Sequence, residues 1–169
     1  MLLHAYNCGP FTEASELETT LQHLPSVCSV LLFPLNDSTD NSAPGGGTHW
    51  SLLLADLAEK RTMHLDSNSG GGNSEPAIDF AHKVAAAVGG GWSHSEPKCP
   101  KQNNSFDCGV FCALFARCAL QALSTAIGDG CSVSSDAVSE ACLGLADGAN
   151  TRARQSWLEA ACAAAEEGD

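Results

Sequence analysis

Basic residues are scarce in this sequence of 169 residues. It contains 8 Lys and Arg against 20 Asp and Glu, which gives a formal net charge of −12. Nucleic-acid binding depends on clustered Lys and Arg that neutralise phosphates, so we expect no nucleic-acid partner. An acidic surface of this kind is better suited to a basic patch on a protein partner.

The sequence also lacks the usual signatures of metal, phosphate and membrane binding. Its nine cysteines form no Cys-x-x-Cys pair and no histidine stands at metal-ligand spacing from them, so we expect no metal and no other cofactor. Three glycine clusters, at 45–47, 70–72 and 89–91, match neither the GxGxxG nor the Walker pattern. We expect no secretory signal, and we take the longest apolar runs to be too short to cross a bilayer. An odd number of cysteines without a regular framework indicates reduced thiols in the cytoplasm or nucleus.

Hydrophobic periodicity predicts one α+β domain over residues 1–169, a small mixed sheet flanked by helices. Strands are predicted over 48–57, 61–66 and 92–96, after an earlier strand that precedes His49. Helices are predicted over residues 12–24, 76–88, 108–127, 134–146 and 151–165. The helix from 108 should run through the middle of the domain, with the C-terminal helices of 134–166 packed on the same core.

The first two predicted strands bring two polar side chains into reach of each other. Their short connection implies an antiparallel hairpin, and a fold point near Leu57–Ala58 would place His49 directly opposite Asp66. Cβ atoms of such a pair are roughly 5 Å apart, close enough for an imidazole–carboxylate hydrogen bond.

Cys108 stands directly before a strongly apolar segment. The run from Gly109 to about Ile127 predicts a buried helix, with Ser105 and Asp107 as candidate caps. In the first turn of a helix, the unpaired N–H groups and the positive dipole end favour a thiolate and could hold an oxyanion. Gln102, six residues earlier in a loop, could supply a second oxyanion donor through its amide.

Each of these residues also has a purely structural interpretation. His49 could be a packed histidine at a strand end, Asp66 the start of a turn, Cys108 a small core residue and Gln102 an ordinary loop residue. Their conjunction is harder to explain by chance, because a thiol, a base, an orienting acid and an oxyanion donor are the components of a cysteine hydrolase.

Three segments carry a family resemblance: GGTHWSLL at 46–53, HLDS at 64–67 and QNNSFDCG at 102–109. They closely resemble the ubiquitin-like-protein proteases, the sentrin/SUMO proteases of cysteine peptidase clan CE. The resemblance is strongest to the deneddylases, the branch that acts on the Nedd-type modifier. That branch carries an Asn-Asp pair before the first segment, here Asn36-Asp37. The resemblance spans roughly residues 27–127, with a weaker echo near 152–158, and leaves 1–26 as an atypical short N-terminus.

The resemblance implies a papain-like cysteine protease architecture with His49, Asp66 and Cys108 as the triad and Gln102 as the oxyanion residue. It further implies substrate-binding roles for Trp50, Asn36 and Gly109, with Trp50 over a narrow channel that accepts the modifier's C-terminal Gly-Gly. The implied substrates are a Nedd-type modifier and its conjugates such as cullins, cut by a monomeric enzyme.

One family motif has no counterpart in this sequence. Family members usually carry Trp-Leu-Asn-Asp on an N-terminal helix that roofs the Gly-Gly channel. We expect either that this protein is a minimal form of the family or that the start of the chain was assigned too late. Three alternatives therefore stay open: a modifier-binding protein without catalysis, a protease directed at SUMO or ubiquitin, and an acetyltransferase that uses the same triad. The acidic composition disfavours the last, because coenzyme A is a polyanion.

Overall fold

A computed structural model describes residues 14–23, 30–38, 46–128, 133–145 and 148–166. Its strands form one sheet in the order β1-β2-β3-β4, with bounds β1 Val30–Asn36, β2 Trp50–Asp56, β3 Arg61–Leu65 and β4 Ser93–Ser95. β1, β2 and β3 are antiparallel neighbours, whereas β4 runs parallel to β3. The helices are α1 Ala14–Gln22, α2 Ser74–Val88, α3 Cys108–Gly128, α4 Ser135–Leu143 and α5 Ala149–Glu166.

The sheet is buried on both faces, which explains why its strands are continuously apolar. One face packs against α3 and α4, and its core contains Leu52, Leu54, Met63, Phe111 and Phe115. The other face packs against α1 and α2, and its core contains Leu31, Phe33, Leu53, Phe80 and Val84. The structure therefore confirms the predicted α+β class, a small mixed sheet with helices on both sides.

Helix α3 is the central helix of the described structure. It lies on β2 and also contacts α4 and α5. The stretch Cys108–Ala126 is long and apolar enough to cross a membrane by length and composition, so the expectation that every apolar run is too short was wrong on that criterion. Its apolar side chains serve a different purpose here, because Phe111, Phe115 and Leu123 are buried in the core on the sheet.

The hairpin register differs from the prediction by two residues. Leu52 pairs with Leu65 and Asp56 pairs with Arg61, so His49 and Asp66 are not cross-strand partners. The turn explains the shift: Arg61 donates to the Asp56 carboxylate at 2.9 Å, and the Glu59 N–H donates to the same carboxylate at 3.2 Å. These bonds fix Leu57–Lys60 as the loop.

The other predicted elements lie within a few residues of the observed ones. Strand β4 and helices α2 and α3 are confirmed nearly residue for residue. Helix α4 ends at Leu143, three residues early, where Gly144 takes the C-cap. The outer ends of the predicted helix 12–24 lie outside the described residues.

Candidate active site

His49 and Asp66 form a buried pair at one end of the β2–β3 hairpin. His49 lies just before β2 and Asp66 just after β3, and the imidazole Nε2 is 2.6 Å from the Asp66 Oδ1. Their exposed fractions are only 7% and 5%. With the Nε2–H donated to the carboxylate, Nδ1 is the ring nitrogen left to accept a proton from a nucleophile.

The chain after β3 folds around the Asp66 carboxylate. The N–H of Asn68 donates to Oδ1 at 2.7 Å, and the N–H of Asn73, just before α2, donates to Oδ2 at 3.2 Å. Together with the imidazole, three donors therefore surround this carboxylate and fix its orientation. Such an acid can hold the imidazole in one tautomer and stabilise the imidazolium.

The Asn-Asp pair at the end of β1 holds the backbone of the histidine. Asp37 accepts hydrogen bonds from the N–H groups of Thr48 and His49, at 2.6 and 2.8 Å. Burial opposes the charged form of Asp37, but these hydrogen bonds outweigh it and the pKa of this carboxyl is lowered. The side-chain amide of Asn36 donates to the His49 carbonyl at 3.2 Å. Sequence reasoning identified this pair as a family mark, and the structure shows what it does.

Gly47 is required where the two segments meet. Its φ is +81°, and a Cβ built on it would lie 2.0 Å from the Asn36 Oδ1 and 2.7 Å from the Asp37 Oδ1. Any side chain here would push Asn36 and Asp37 away from His49. The glycine of the GGTHW segment thus serves the packing of the histidine.

Cys108 is the first residue of α3 and is 6% exposed. One turn further on, the Cys112 Sγ donates to the Ser51 carbonyl at 3.3 Å, which fixes this face of α3 against the start of β2. Cys108 therefore lies towards the end of β2 that begins after His49. The part of the chain that the structure describes shows no hydrogen bond between Cys108 and His49, so the thiol and the base are brought to the same region without being joined.

Gln102 is held beside the acid of the pair. Its N–H donates to the Ser67 carbonyl at 2.8 Å, and its Oε1 accepts from the Ser67 hydroxyl at 2.7 Å. Its Nε2 donates to the Asn104 carbonyl at 2.6 Å. Nearby, Lys101 Nζ and Cys99 Sγ both donate to the Asp66 carbonyl, at 2.7 and 3.2 Å. The structure thus places Gln102 next to the Asp66 turn, and its role as an oxyanion donor stays a prediction.

Trp50 and Gly109 line one apolar cavity of about 390 Å³ between the β1–β2 edge and the start of α3. Its remaining lining residues are Leu32, Pro34, Leu52, Cys112, Ala113 and Ala116. Trp50 is partly buried and pairs with the buried Asn36 across the two strands. A Cβ built on Gly109 would meet nothing within 4 Å, so the cavity is open at that point. The three residues implied as substrate-binding therefore lie together, and their contact with substrate stays a prediction.

Asp107 does more than cap α3. Its carbonyl accepts from the Phe111 N–H at 2.9 Å, as an N-cap residue's does. Its buried carboxylate accepts from the side chains of Asn104, at 2.8 Å, Asn150, at 2.7 Å, and Arg154. Burial opposes the charged form, but these donors lower the pKa of Asp107. The side chain therefore joins the start of α3 to α5, a link that sequence reasoning missed.

Asn73 and His64 were also missed as parts of the site's support. The amide of Asn73 donates to the Ser51 hydroxyl at 3.0 Å, and the His64 Nε2 is 2.9 Å from the same hydroxyl. Burial lowers the pKa of His64 despite its contact with Glu96 at 3.3 Å and the nearby Asp66 charge. His64 is therefore suited to remain neutral in the core rather than to act as the base. An Asn just before a helix start is the only sequence signal for Asn73.

Comparison with known proteins supports the resemblance drawn from the motifs. No family model matches the chain. Sentrin-specific protease 8 of Homo sapiens is 38% identical over 85 residues, which are 48% of this chain and 39% of that protein. NEDD8-specific protease 1 of Arabidopsis thaliana is 35% identical over 91 residues, 52% of this chain and 39% of that protein. The resemblance to the ubiquitin-like-protein proteases is confirmed, although this chain spans only about two fifths of the length of these relatives.

Solved structures with some likeness include SUMO protease Ulp1 with its catalytic cysteine oxidised to a sulfinic acid. Its TM-score is 0.41 and its sequence identity is 18%. The match covers 77% of this chain and 57% of that protein's chain. A de-sumoylating protease has a TM-score of 0.48 and a sequence identity of 13%. The match covers 85% of this chain and 61% of that protein's chain. Likeness at this level is too weak to support a conclusion about this chain.

Proposed function

We propose that this chain, which resembles the deneddylase branch of the ubiquitin-like-protein proteases, is a cysteine protease that cleaves after the C-terminal Gly-Gly of a ubiquitin-like modifier. The observation that carries the proposal is the buried 2.6 Å contact between His49 and Asp66 beside the helix that begins with Cys108. Relatives named NEDD8-specific protease 1 in Arabidopsis thaliana and Schizosaccharomyces pombe support a Nedd-type modifier as the substrate.

In the proposed reaction, Cys108 attacks the glycyl carbonyl and His49 takes the thiol proton at Nδ1. Asp66 keeps the Nε2–H in place and stabilises the imidazolium that forms. The Cys108 N–H and the Gln102 amide hold the oxyanion, and one such donor contributes roughly 3 kcal/mol to the barrier reduction. His49 then protonates the leaving amine, which leaves a thioester on Cys108. Water activated by His49 hydrolyses the thioester and releases the modifier with a free C-terminal carboxylate.

The apolar cavity supports the choice of a Gly-Gly tail. Trp50 and Gly109 line it next to Cys108, and glycines are the residues that a slot beside an indole admits most easily. We expect the rest of the modifier to bind outside this cavity. Conjugates such as cullins would present the same Gly-Gly at an isopeptide bond, and a single copy of the chain would suffice to cut it.

A panel of ubiquitin-like modifiers carrying a C-terminal thiol-reactive group tests the proposal. We expect a covalent adduct with the Nedd-type modifier that disappears in Cys108→Ser and persists in Cys118→Ser, a buried thiol further along the same helix that does not line the apolar cavity. An adduct that still forms in Cys108→Ser would show that Cys108 is not the nucleophile. Adducts with a SUMO or ubiquitin probe alone would overturn the choice of modifier while leaving the reaction class intact.

A second candidate function is modifier binding without turnover. It is favoured by one observation, that Cys108 has no hydrogen bond to His49 in the described residues. Catalytic hydrogen bonds often tighten only when substrate binds, which is why we rank this candidate second. Calorimetry with the unreactive modifier separates the two, because binding without any Cys108 adduct would support this candidate.

A further inference from the structure

Phe106 is the most exposed of the large apolar side chains in the described part of the chain, at 64%. It lies two residues before Cys108, and two residues of chain span at most about 7 Å between Cα atoms. It does not line the apolar cavity that begins at Gly109, on the opposite side of Cys108 in the sequence. An exposed aromatic ring this close to the proposed nucleophile is a candidate contact for the substrate, because aromatic side chains dominate the energetics of protein interfaces.

Hydrogen bonds fix the backbone of Phe106 on both sides. The Asn104 side-chain oxygen accepts from the N–H groups of Phe106 and Asp107, at 3.1 and 3.0 Å. The Phe106 carbonyl accepts from the Arg154 guanidinium at 3.4 Å. The segment is therefore ordered before substrate arrives, and a contact surface that is already ordered loses little conformational entropy on binding.

Arg154 also fixes the ring of Phe106. Its guanidinium carbon lies 4.9 Å from the ring centroid, a cation–π contact, and the same guanidinium donates to the buried Asp107 carboxylate. One face of the ring is thus covered by a charge that is itself anchored, while much of the ring stays exposed. The result is a rigid apolar surface with a cation behind it, which suits an uncharged aliphatic chain and disfavours a second cation.

The chemistry of the bond that is cut indicates which part of the substrate fits this surface. The Gly-Gly tail is proposed to occupy the cavity that begins at Gly109, which leaves the Phe106 side of Cys108 for the leaving group. In an isopeptide, the leaving group is a lysine whose nitrogen is a neutral amide and whose methylenes directly follow the scissile bond. These methylenes can pack on the exposed ring, and their burial favours binding. After cleavage the nitrogen becomes an ammonium, which the charge of Arg154 repels.

We propose that Phe106, held in place by Arg154, binds the aliphatic side chain of the lysine in an isopeptide-linked substrate. The inference rests on the proposed protease function and adds a substrate class to it, namely conjugates joined through a lysine side chain. A linear precursor offers a branched α-carbon directly after the scissile nitrogen, in place of unbranched methylenes, and fits the ring less well. Phe106 is a substrate-binding residue in this scheme, and Arg154 is a positioning residue that acts through the ring.

Two substrates that share the Nedd-type modifier and differ in the leaving group test the proposal: a conjugate to the lysine side chain of a short peptide, and a linear fusion to the same peptide. In Phe106→Ala we expect KM for the conjugate to rise roughly tenfold, equivalent to about 1.4 kcal/mol, with kcat and the linear fusion little affected. Phe106→Tyr keeps the ring and should retain the wild-type KM. The control is Leu143→Ala, which removes an exposed apolar side chain at the end of α4 and should change neither substrate.

Labelling of Cys108 by the modifier with a C-terminal thiol-reactive group separates this inference from the proposed function, because that probe carries no lysine. A wild type that is neither labelled nor cleaves either substrate would overturn the proposed function. A labelled wild type whose Phe106→Ala variant changes KM for both substrates equally, or for neither, would overturn this inference alone. Slower labelling of Phe106→Ala would do the same, since the contact would then lie on the modifier side. In the wild type, which needs no variant to fold, we expect a lower KM for the conjugate than for the linear fusion.

Discussion

The base half of the candidate site, His49 with Asp66, and the nucleophile half, Cys108 at the start of α3, are held in different ways. Asp66 is surrounded by the His49 ring and the N–H groups of Asn68 and Asn73, all from residues nearby in the chain. The start of α3 is tied through Asp107 to Asn150 and Arg154, which are 43 and 47 residues further along the chain. Damage to α5 should therefore affect the thiol and leave the base in place.

The largest expected effect comes from the base half. Asp66→Asn keeps the shape of the side chain but cannot serve as the same anionic acceptor for the imidazole, so we expect turnover to fall roughly 10³- to 10⁴-fold. The rate at which the protein cleaves the bond after the modifier's C-terminal Gly-Gly measures the loss. Asp56→Asn, a buried carboxylate at the opposite end of β2, is the control. An Asp66→Asn protein with near wild-type turnover would remove Asp66 from the mechanism.

In Gly47→Ala, the added methyl group should displace the Asn36 and Asp37 side chains that hold the backbone of His49. Its Cβ would lie 2.0 Å from the Asn36 Oδ1 at a φ of +81°, so we expect a loss of roughly 2–4 kcal/mol in the free energy of unfolding. Urea unfolding measures it. The control is Gly90→Ala, where the Cβ would meet nothing within 4 Å and φ is outside the left-handed region. Equal effects at the two glycines would contradict the packing argument.

Arg154→Ala tests the nucleophile half. It leaves the buried Asp107 carboxylate without its charged partner, and we expect the rate of probe labelling at Cys108 to fall about tenfold, equivalent to roughly 1.4 kcal/mol. Arg152→Ala, two residues earlier on α5, provides the matched control. A tenfold loss in both variants would point to general damage of α5 instead.

The smallest expected effect is on stability in mild acid. The pKa of His64 is lowered in the folded protein, so the unfolded chain binds more protons as the pH falls below the usual value of 6.5. Stability contributed by neutral His64 is complete above that pH and is lost as the pH falls towards the folded pKa. A series of melting temperatures between pH 7 and pH 5 should decline less steeply in His64→Gln than in the wild type. Unchanged slopes would show that His64 does not drive the decline.

The sequence predicted the base half better than the nucleophile half, for a physical reason. Strands and helices follow local apolar periodicity, and His49 and Asp66 adjoin two strands joined by the short loop Leu57–Lys60. Their contact formed even though the hairpin register was off by two residues, because both residues lie outside the paired segment. Local patterns could not show that Asp107 meets Arg154, since only tertiary packing brings them together.

The same limit applies to the thiols. Cys118 and Cys142 lie in two separate helices, and their burial in one core cluster depends on how α4 packs on α3. The motif around Cys108, in contrast, identified its residue through family resemblance without any knowledge of packing. Resemblance therefore predicted which residues carry the chemistry, and coordinates were needed for the contacts specific to this fold.

The position of Asp37 has a consequence for the proposed catalysis. Because it holds the N–H groups of Thr48 and His49 by the backbone, the imidazole can gain and lose a proton without releasing its own anchor. In a thiol protease that ring accepts a proton twice in each turnover, once from the thiol and once from water. In the proposed reaction, a histidine that is anchored through its main chain would keep one orientation in both steps, so the ring would need little reorganisation between acylation and deacylation.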